Sequence, residues 1–175
     1  PVPIASQEIV DSIMEEAVSP TLTALQKRNI DYRGVLYCGL MFTPDGVKVL
    51  EYNVRFGDPE TQVVLPRLTS SLSDLLFSAA SGHLVNPPTF STEASVTVVC
   101  AAENYPTSPK KGALIKGIDE ANELAGVKVY CAGIDHTDNG FITSGGRVLS
   151  VTGCGENLDH ARERAYKGVN MICWE

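Results

Sequence analysis

EYNVRFGDPE, residues 51–60, is the stretch that governs how this chain is expected to fold. Side chains of a β-strand alternate with a period of two, so Glu51, Asn53 and Arg55 are predicted to share one face of a strand, about 7 Å apart. The opposite face is apolar and is expected to be buried; it carries Tyr52, Val54 and Phe56. The pattern therefore predicts a strand whose polar face holds a carboxylate, an amide and a guanidinium.

These polar side chains suit a site for a metal ion and a phosphate. Hard divalent cations take oxygen ligands, and Mg²⁺ is usually held by one or two protein groups together with substrate phosphates. Glu51 and Asn53 offer such oxygens, and Arg55 can bind a phosphate in a bidentate manner. The alternative is that Glu51 and Arg55 form only an ion pair on a half-exposed strand. The residues alone leave both interpretations open.

A tight corner is predicted directly after this strand. Gly57 frees the backbone and Asp58-Pro59 restricts it, so the strand is expected to end here. Asp58 and Glu60 then add two carboxylates next to the polar face. Asp58 could equally be a turn former without a chemical role.

Two runs of residues resemble a known family. VLYCGLMFTPDGVKVLEYNVRFGDPETQVVLPRL, residues 35–68, resembles the catalytic core of the glycinamide ribonucleotide synthetases, also called phosphoribosylamine–glycine ligases, of the ATP-grasp superfamily. Many ATP-grasp enzymes carry a Glu-x-Asn-x-Arg strand, and the continuation FGDPETQ distinguishes this ligase among them. TSGGRVLSVTG, residues 143–153, resembles the signature of the family's C-terminal domain. The resemblance covers nearly the whole chain but only the latter part of such an enzyme.

The resemblance implies an α+β fold in two parts. The first part would be the C-terminal half of an ATP-grasp fold, an antiparallel sheet backed by helices, at residues 1–85. Residues 86–92, which include Pro87-Pro88, are predicted to be a linker. Residues 93–175 would form a small β-rich, barrel-like domain with a terminal helix.

The resemblance also implies a reaction of purine biosynthesis. ATP, glycine and 5-phosphoribosylamine would give glycinamide ribonucleotide, ADP and phosphate, with glycyl phosphate as the intermediate that the ribosylamine nitrogen attacks. Glu51 and Asn53 would hold Mg²⁺, or Mn²⁺, against the ATP phosphates. Arg55 would be the catalytic residue that stabilises the migrating phosphoryl group.

Two stretches are candidates for substrate binding. In the first, Asp58 and Glu60 would orient an amine. In the second, Ser144-Gly145-Gly146-Arg147, two glycines before a β-run permit close approach of a ligand, and Arg147 could reach a phosphate. The alternative for the second stretch is a glycine-rich hairpin corner with a solvated arginine. The predicted substrate-binding residues are Gly57, Asp58, Glu60, Gly145, Gly146 and Arg147.

The remaining pattern predicts helices and strands around these motifs. Helical spacing runs from Gln7 to about Val18 with Ser6 as N-cap, and Pro20 is expected to break or kink the helix. Predicted strands cover residues 35–42, 47–56, 94–101, 113–116, 127–134 and 148–152. Helices are predicted to end at Gly82 and to span residues 119–125 and 157–173. The chain departs from the family at Glu103-Asn104, where Gly-Gly is expected.

Composition excludes several functional classes. The 175 residues carry a net charge of −7 without a long basic block, which argues against nucleic acid or an anionic membrane as a partner. No apolar run approaches the roughly 18 residues of a membrane span. The five cysteines are widely spaced and form no CxxC pair, so we expect free thiols in a reducing, cytoplasmic compartment. Neither a dinucleotide-binding GxGxxG nor a P-loop is present.

The chain is expected to be an incomplete enzyme. Because it corresponds to the latter part of the family, an N-terminal portion of the same enzyme would be missing, and other purine-pathway domains could be fused to it. We predict that these residues alone have no ligase activity. Two alternatives remain: another ATP-grasp ligase or carboxylase, which would not need the corner at residues 57–60, and a non-catalytic fragment of a multifunctional purine enzyme.

Overall fold

The computed structural model describes residues 5–174, which form the predicted α+β arrangement of helices and antiparallel sheets. Its contacts define two compact units, one of Pro1–Gly57 and Ser73–Pro87 and the other of Asp58–Leu72 and Pro88–Glu175. No helix in this described part is long and apolar enough to cross a membrane. The division into domains at residues 86–92 stays a prediction.

The first unit begins with a helical segment that changes its winding next to a proline. Ser6 caps it, accepting a hydrogen bond from the backbone N–H of Ile9 at 3.4 Å. Pro20 has no N–H, and its ring would clash with a carbonyl of the preceding turn in a regular α-helix. The expected interruption is a π-helical turn that places Pro20 in the first turn of the next helix. The three stretches are α1 (Gln7–Ile13), the π-helix (Met14–Val18) and α2 (Ser19–Lys27).

The predicted hairpin follows as strands β1 (Tyr37–Thr43) and β2 (Gly46–Asn53). Its register shifts between Gly39, which pairs with Glu51, and Leu40, which pairs with Val49, so Leu50 is a bulged residue. The prediction that this strand continues to Phe56 is wrong. The ladder starts at Tyr37, whose partner is Asn53, and the backbone bends at the next two residues.

The apolar face of residues 51–56 is not buried, so that expectation is also wrong. Val54 is 73 % exposed, and Tyr52 and Phe56 are 40 % and 36 % exposed. Among the described residues of the first unit, only Ala17 and Gly39 are buried. A two-stranded sheet with short helices covers too little apolar surface to form a core of its own.

The segment after the corner contains two short helical turns and a longer helix. These are α3 (Thr61–Val64), a 3₁₀ turn (Leu65–Arg67) and α4 (Leu72–Ser81). Gly82 ends α4 with a φ of 78°, a conformation that favours glycine, as the sequence predicted. The predicted linker pairs with the segment before α4: Leu68 bridges to Phe90, and Thr69 N–H donates to the Thr89 carbonyl at 2.8 Å.

The second unit is β-rich with a terminal helix, as predicted. Its elements are β3 (Ala94–Ala101), α5 (Ile118–Asn122), β4 (Val127–Cys131), β5 (Ile134–Thr137), β6 (Gly140–Thr143), β7 (Arg147–Gly155) and α6 (Leu158–Val169). The main sheet has the order β3-β7-β4 with antiparallel pairs, and β5 and β6 form a separate hairpin.

Three predicted boundaries in this unit are wrong. The expected strand at residues 127–134 is split into β4 and β5, with Gly133 at the break. Residues 113–116 contribute only isolated bridges, from Leu114 to Ile142 and from Lys116 to Cys173. The last helix starts with its Asn157 cap, whose Oδ1 accepts from His160 N–H at 2.9 Å, but it ends at Val169 instead of continuing to residue 173.

The core of the second unit lies around β7. Val148, Leu149 and Val151 are completely buried in this strand. Helix α6 packs closely against it, because a Cβ at Gly168 would lie 2.7 Å from Val151 Cγ1 and a Cβ at Gly153 would overlap backbone atoms of α6. Side chains on β7 are therefore held in place by a closely packed strand.

Candidate functional site

Glu51 and Asn53 lie on the same face of β2, as the sequence predicted. The Asn53 amide Nδ2 donates to Glu51 Oε1 at 2.9 Å, which brings the two side chains together. Gly39 of β1 is directly opposite Glu51, and a Cβ there would lie 3.1 Å from Glu51 Cγ. The absence of a side chain at Gly39 thus leaves room for the Glu51 carboxylate.

This pair fits a magnesium site of the kind that shares its ion with phosphates. With its Nδ2 turned to Glu51, Asn53 has its amide oxygen as a hard ligand beside the carboxylate. Among residues 5–174 there is no group of three or more His, Cys, Asp or Glu side chains that could hold a metal by itself. A two-oxygen pair nevertheless suits Mg²⁺, which takes the rest of its ligands from water and phosphate.

Arg55 follows the end of β2, in the bend. Its side chain is exposed, and Nη1 donates to the carbonyl oxygen of Phe56 at 2.9 Å. The expected row of three polar side chains on one strand is therefore a pair on the strand plus an arginine outside it. Arg55 has greater freedom of direction than a strand residue would have.

The corner at residues 58–60 is linked to the start of β7. Arg147 Nη2 lies 3.3 Å from Asp58 Oδ2, and Arg147 Nη1 donates to the Asp58 backbone carbonyl at 3.2 Å. The other carboxylate oxygen, Asp58 Oδ1, accepts from Gln62 Nε2 at 2.9 Å. The two predicted substrate-binding stretches thus meet through Asp58 and Arg147, although these residues are 89 positions apart in the sequence.

Gly57 and Glu60 flank this contact along the chain. Gly57 is half-buried and ends the first unit. Glu60 precedes α3, and its backbone carbonyl accepts from the N–H groups of Val63 and Val64 at 3.1 and 3.0 Å. Glu60 is therefore the N-cap residue of a short helical segment.

Gly145 and Gly146 are surrounded by protein atoms. Gly145 packs on Gly133, where a Cβ would lie 2.7 Å from Gly145 Cα and 2.6 Å from the Arg147 carbonyl oxygen. A Cβ at Gly146 would overlap the ring of Tyr105. These contacts explain by close packing why glycine occupies both positions, and their role in substrate binding stays a prediction.

The loop that carries Tyr105 contains the departure from the family pattern. Asn104 has a φ of 65°, in the left-handed region where glycine is favoured and asparagine is tolerated. Ala102 N–H donates to the Gly146 carbonyl at 2.8 Å, which joins this loop to the glycine corner. Asn104 thus adopts a conformation that an expected glycine would also allow.

Gln62 and Thr152 were not among the predicted site residues. The Thr152 hydroxyl donates to the Gln62 backbone carbonyl at 3.0 Å and lies 2.9 Å from Thr97 Oγ1. Gln62 Oε1 is one of three buried side-chain atoms in the described residues without a hydrogen-bond partner. The motif FGDPETQ could have pointed to Gln62, whereas nothing local in the sequence pointed to Thr152.

All five cysteines are free in the structure. Burial raises the pKa of the Cys38, Cys100 and Cys131 thiols above their ordinary value of 9.0. Thiols with raised pKa values are poor nucleophiles at neutral pH, so these three cysteines are not suited to catalysis.

Known families account for most of the chain. The ATP-grasp (A) domain of phosphoribosylglycinamide synthetase matches residues 1–61, and the C domain of the same enzyme matches residues 95–175. The phosphoribosylamine–glycine ligases of Streptomyces coelicolor and a Synechocystis species are 44 % and 47 % identical to this chain over 98 % of its length. The chain spans 42 % of the length of these two relatives.

A solved structure gives the same relationship. The phosphoribosylamine–glycine ligase of Thermotoga maritima superposes with a TM-score of 0.82 and 31 % identity, covering 100 % of this chain and 42 % of that protein. Sequence and fold agree on both the ATP-grasp part and the C domain. The chain therefore belongs to the phosphoribosylglycinamide synthetase family and has the mixed α and β architecture of ATP-grasp ligases.

Proposed function

We propose that this chain is part of an ATP-dependent carbon–nitrogen ligase that joins glycine to 5-phosphoribosylamine. The products would be glycinamide ribonucleotide, ADP and phosphate, a step of purine biosynthesis in the cytoplasm. The observation that carries the proposal is the match of nearly the whole chain, at 44 % and 47 % identity, to relatives named phosphoribosylamine–glycine ligase. The presence of the complete FGDPETQ corner supports it.

The reaction has two bond-forming steps. A glycine carboxylate oxygen attacks the γ-phosphorus of ATP, ADP leaves, and glycyl phosphate forms. The amine nitrogen of phosphoribosylamine then attacks the glycyl carbonyl carbon, loses a proton, and expels phosphate as the C–O bond breaks. Both steps need positioning and charge stabilisation more than covalent help from the protein.

We assign metal binding to Glu51 and Asn53. The two side chains, which are in contact on β2, would hold Mg²⁺, or Mn²⁺, through the Glu51 carboxylate and the Asn53 amide oxygen, and the ion would neutralise charge on the β- and γ-phosphates. The hydrogen bond between the two side chains keeps the Asn53 amide nitrogen turned to Glu51, so that its oxygen is available. Rigid strands hold such ligands more accurately than loops do.

We assign stabilisation of the migrating phosphoryl group to Arg55. Its exposed guanidinium, on a bend after β2, has donors left after its single contact with the Phe56 carbonyl. An arginine held by one hydrogen bond can turn to an anionic group without losing a buried ion pair. The exposed position of Arg55 outside the strand thus supports this role.

Substrate binding is assigned to the two stretches that meet in the second unit. The contact between Asp58 and Arg147 supports treating them as one group. The proposed substrate-binding group comprises Gly57, Asp58, Glu60, Gly145, Gly146 and Arg147, some by contact with the substrate and others by holding the residues that make it. The carboxylates of Asp58 and Glu60 would orient an amine of the substrate, and Gly145-Gly146 would shape the surface next to that amine.

We also propose that the chain needs the remaining part of its relatives' length to act. Its first unit buries only Ala17 and Gly39 among the described residues and leaves Val54, Phe77 and Val85 at least 73 % exposed. Such apolar surface is typical of a segment that packs against other protein. The isolated 175 residues are therefore expected to be inactive.

The proposed function is tested with the intact gene product. ADP release is followed with ATP and Mg²⁺ while glycine and phosphoribosylamine are omitted in turn. ADP release that requires both compounds is the expected result. Turnover supported by a different acid or amine would contradict the substrate assignment, and turnover by the isolated 175 residues would contradict the proposed incompleteness.

A further inference from the structure

We propose that Arg147 is a positioning residue that acts through Asp58 and does not itself contact substrate. This inference rests on the proposed function and refines the role of one residue in it. Arg147 is the first residue of β7 and reaches both the carboxylate and the backbone carbonyl of Asp58, at 3.3 and 3.2 Å. Two contacts from one guanidinium fix the side chain and the main chain of the same residue.

Each oxygen of the Asp58 carboxylate has one protein partner. Gln62 Nε2 donates a hydrogen bond to Oδ1, and Arg147 Nη2 forms an ion pair with Oδ2. The amide orientation of Gln62 is fixed by this contact, because the reverse orientation would bring an amide oxygen against the carboxylate. Asp58 therefore joins β7 to α3, and the neighbouring carboxylate of Glu60 is held in the segment between these joints.

A second contact from β7 secures the other end of the same segment. Thr152, which is 1 % exposed, donates to the Gln62 backbone carbonyl at 3.0 Å. Residues 58–62 are thus attached to β7 at Asp58 by Arg147 and at Gln62 by Thr152. Since β7 is the most deeply buried strand of its sheet, residues 58–62 are held in place by a closely packed element.

The glycine corner before β7 fixes where Arg147 starts. Gly133 N–H donates to the Arg147 carbonyl at 2.9 Å, and Gly145 N–H donates to the Gly133 carbonyl at 3.0 Å. This backbone crossing leaves no space for a Cβ at Gly133. The close packing indicates that the glycines set the direction of the Arg147 side chain. This role differs from the predicted one, in which the glycines let a ligand approach the backbone.

The ion pair is half-exposed, with 42 % of the Arg147 side chain and 47 % of the Asp58 side chain accessible. Pairs at such exposure contribute little to stability. The expected effect of losing Arg147 is therefore on the accuracy of the corner and not on folding. Small misplacements of substrate-positioning groups can cost up to about 100-fold in rate.

A double-mutant cycle in the intact enzyme tests the proposal. The variants are Arg147→Met, Asp58→Asn and their combination, with Arg147→Lys as the conservative variant. Arg162→Met is the matched control, because Arg162 is exposed on α6 and belongs to none of the proposed binding residues. Values of kcat and KM are measured for glycine and for phosphoribosylamine.

Arg147→Met is expected to lower kcat/KM about 10-fold, while Arg162→Met changes it less than about twofold. In the Asp58→Asn background, the loss of Arg147 should cost clearly less than in the wild type, because the ion pair is already gone and only the contact with the backbone carbonyl of residue 58 is left to lose. Arg147→Lys should recover part of the loss, since an ammonium can still reach the carboxylate. Independent, multiplying losses in the double variant would show that Arg147 contacts substrate and would overturn the proposal.

Hydrogen exchange of the same proteins without substrate separates this inference from the proposed function. Arg147→Met should speed exchange at Val63 and Val64, whose N–H groups donate to the Glu60 carbonyl, and Arg162→Met should not. Unchanged exchange in Arg147→Met would refute the positioning role whatever reaction the enzyme catalyses. ADP release by the wild-type enzyme that does not depend on glycine or on phosphoribosylamine would instead refute the proposed function.

Discussion

Replacing Thr152 by valine removes one hydroxyl from the centre of the second unit without changing the shape of the side chain. That hydroxyl donates to the Gln62 carbonyl at 3.0 Å and lies 2.9 Å from Thr97 Oγ1, and Thr152 is 1 % exposed. A buried polar group that loses its partner costs about 1–3 kcal/mol. Because water cannot reach this position, we expect Thr152→Val to lower the free energy of unfolding by about 2 kcal/mol.

Urea titration of the 175-residue chain measures this loss. Trp174 is the single tryptophan and packs against the core of the second unit, so its fluorescence reports the relevant transition. Thr137→Val is the matched control, because the Thr137 hydroxyl also bonds a backbone carbonyl, that of Gly140 at 3.0 Å, in the separate β5–β6 hairpin.

The control separates the attachment of residues 58–62 from the general cost of losing a hydroxyl. In the intact enzyme, Thr152→Val should raise KM for glycine or phosphoribosylamine, and Thr137→Val should leave both unchanged. Equal unfolding free energies for the two variants, together with an unchanged KM in Thr152→Val, would show that the reasoning about this contact is wrong.

Three further outcomes follow from the geometry. Glu51→Ala in the intact enzyme should reduce kcat by at least about 100-fold with little loss of fold, and an unchanged rate in a steady-state assay would remove Glu51 from the metal site. Gly153→Ala should destabilise the second unit by about 3 kcal/mol in urea titration, because its Cβ would overlap the backbone of α6. Gly112→Ala is the control: its Cβ would meet no atom within 4 Å, so the variant should cost only about 1 kcal/mol, from the positive φ of that residue. The pH profile of Cys100 alkylation, read by mass spectrometry, should have its midpoint above 9.0, because burial raises the pKa and lowers the thiolate fraction at any given pH; a midpoint at or below 9.0 would contradict this.

Local patterns were sufficient for much of the fold. The turn at residues 43–46 between two apolar runs predicted the β1–β2 hairpin, and the alternation of side chains predicted that Glu51 and Asn53 share a face. The Ser6 and Asn157 helix starts likewise follow from capping chemistry, which depends on neighbours three residues away.

Features set by distant residues could not be read from the pattern. Strand β2 ends at Asn53 because its partner strand begins at Tyr37. The strand predicted at residues 127–134 breaks because Gly133 packs against Gly145. The contact between Asp58 and Arg147 spans 89 residues and has no local signal. Burial of the Val54 face was predicted from alternation alone, which says which residues share a face but not whether that face is covered.

The transfer of an oxygen atom tests the ligase assignment most directly. The intact enzyme is given ATP, Mg²⁺, phosphoribosylamine and glycine with both carboxylate oxygens labelled with ¹⁸O, and the released phosphate is analysed by mass spectrometry. If the glycine carboxylate attacks the γ-phosphorus and the amine then displaces phosphate from carbon, each phosphate carries one ¹⁸O atom. Unlabelled phosphate released together with ADP would mean that glycine is not the acid that this enzyme activates.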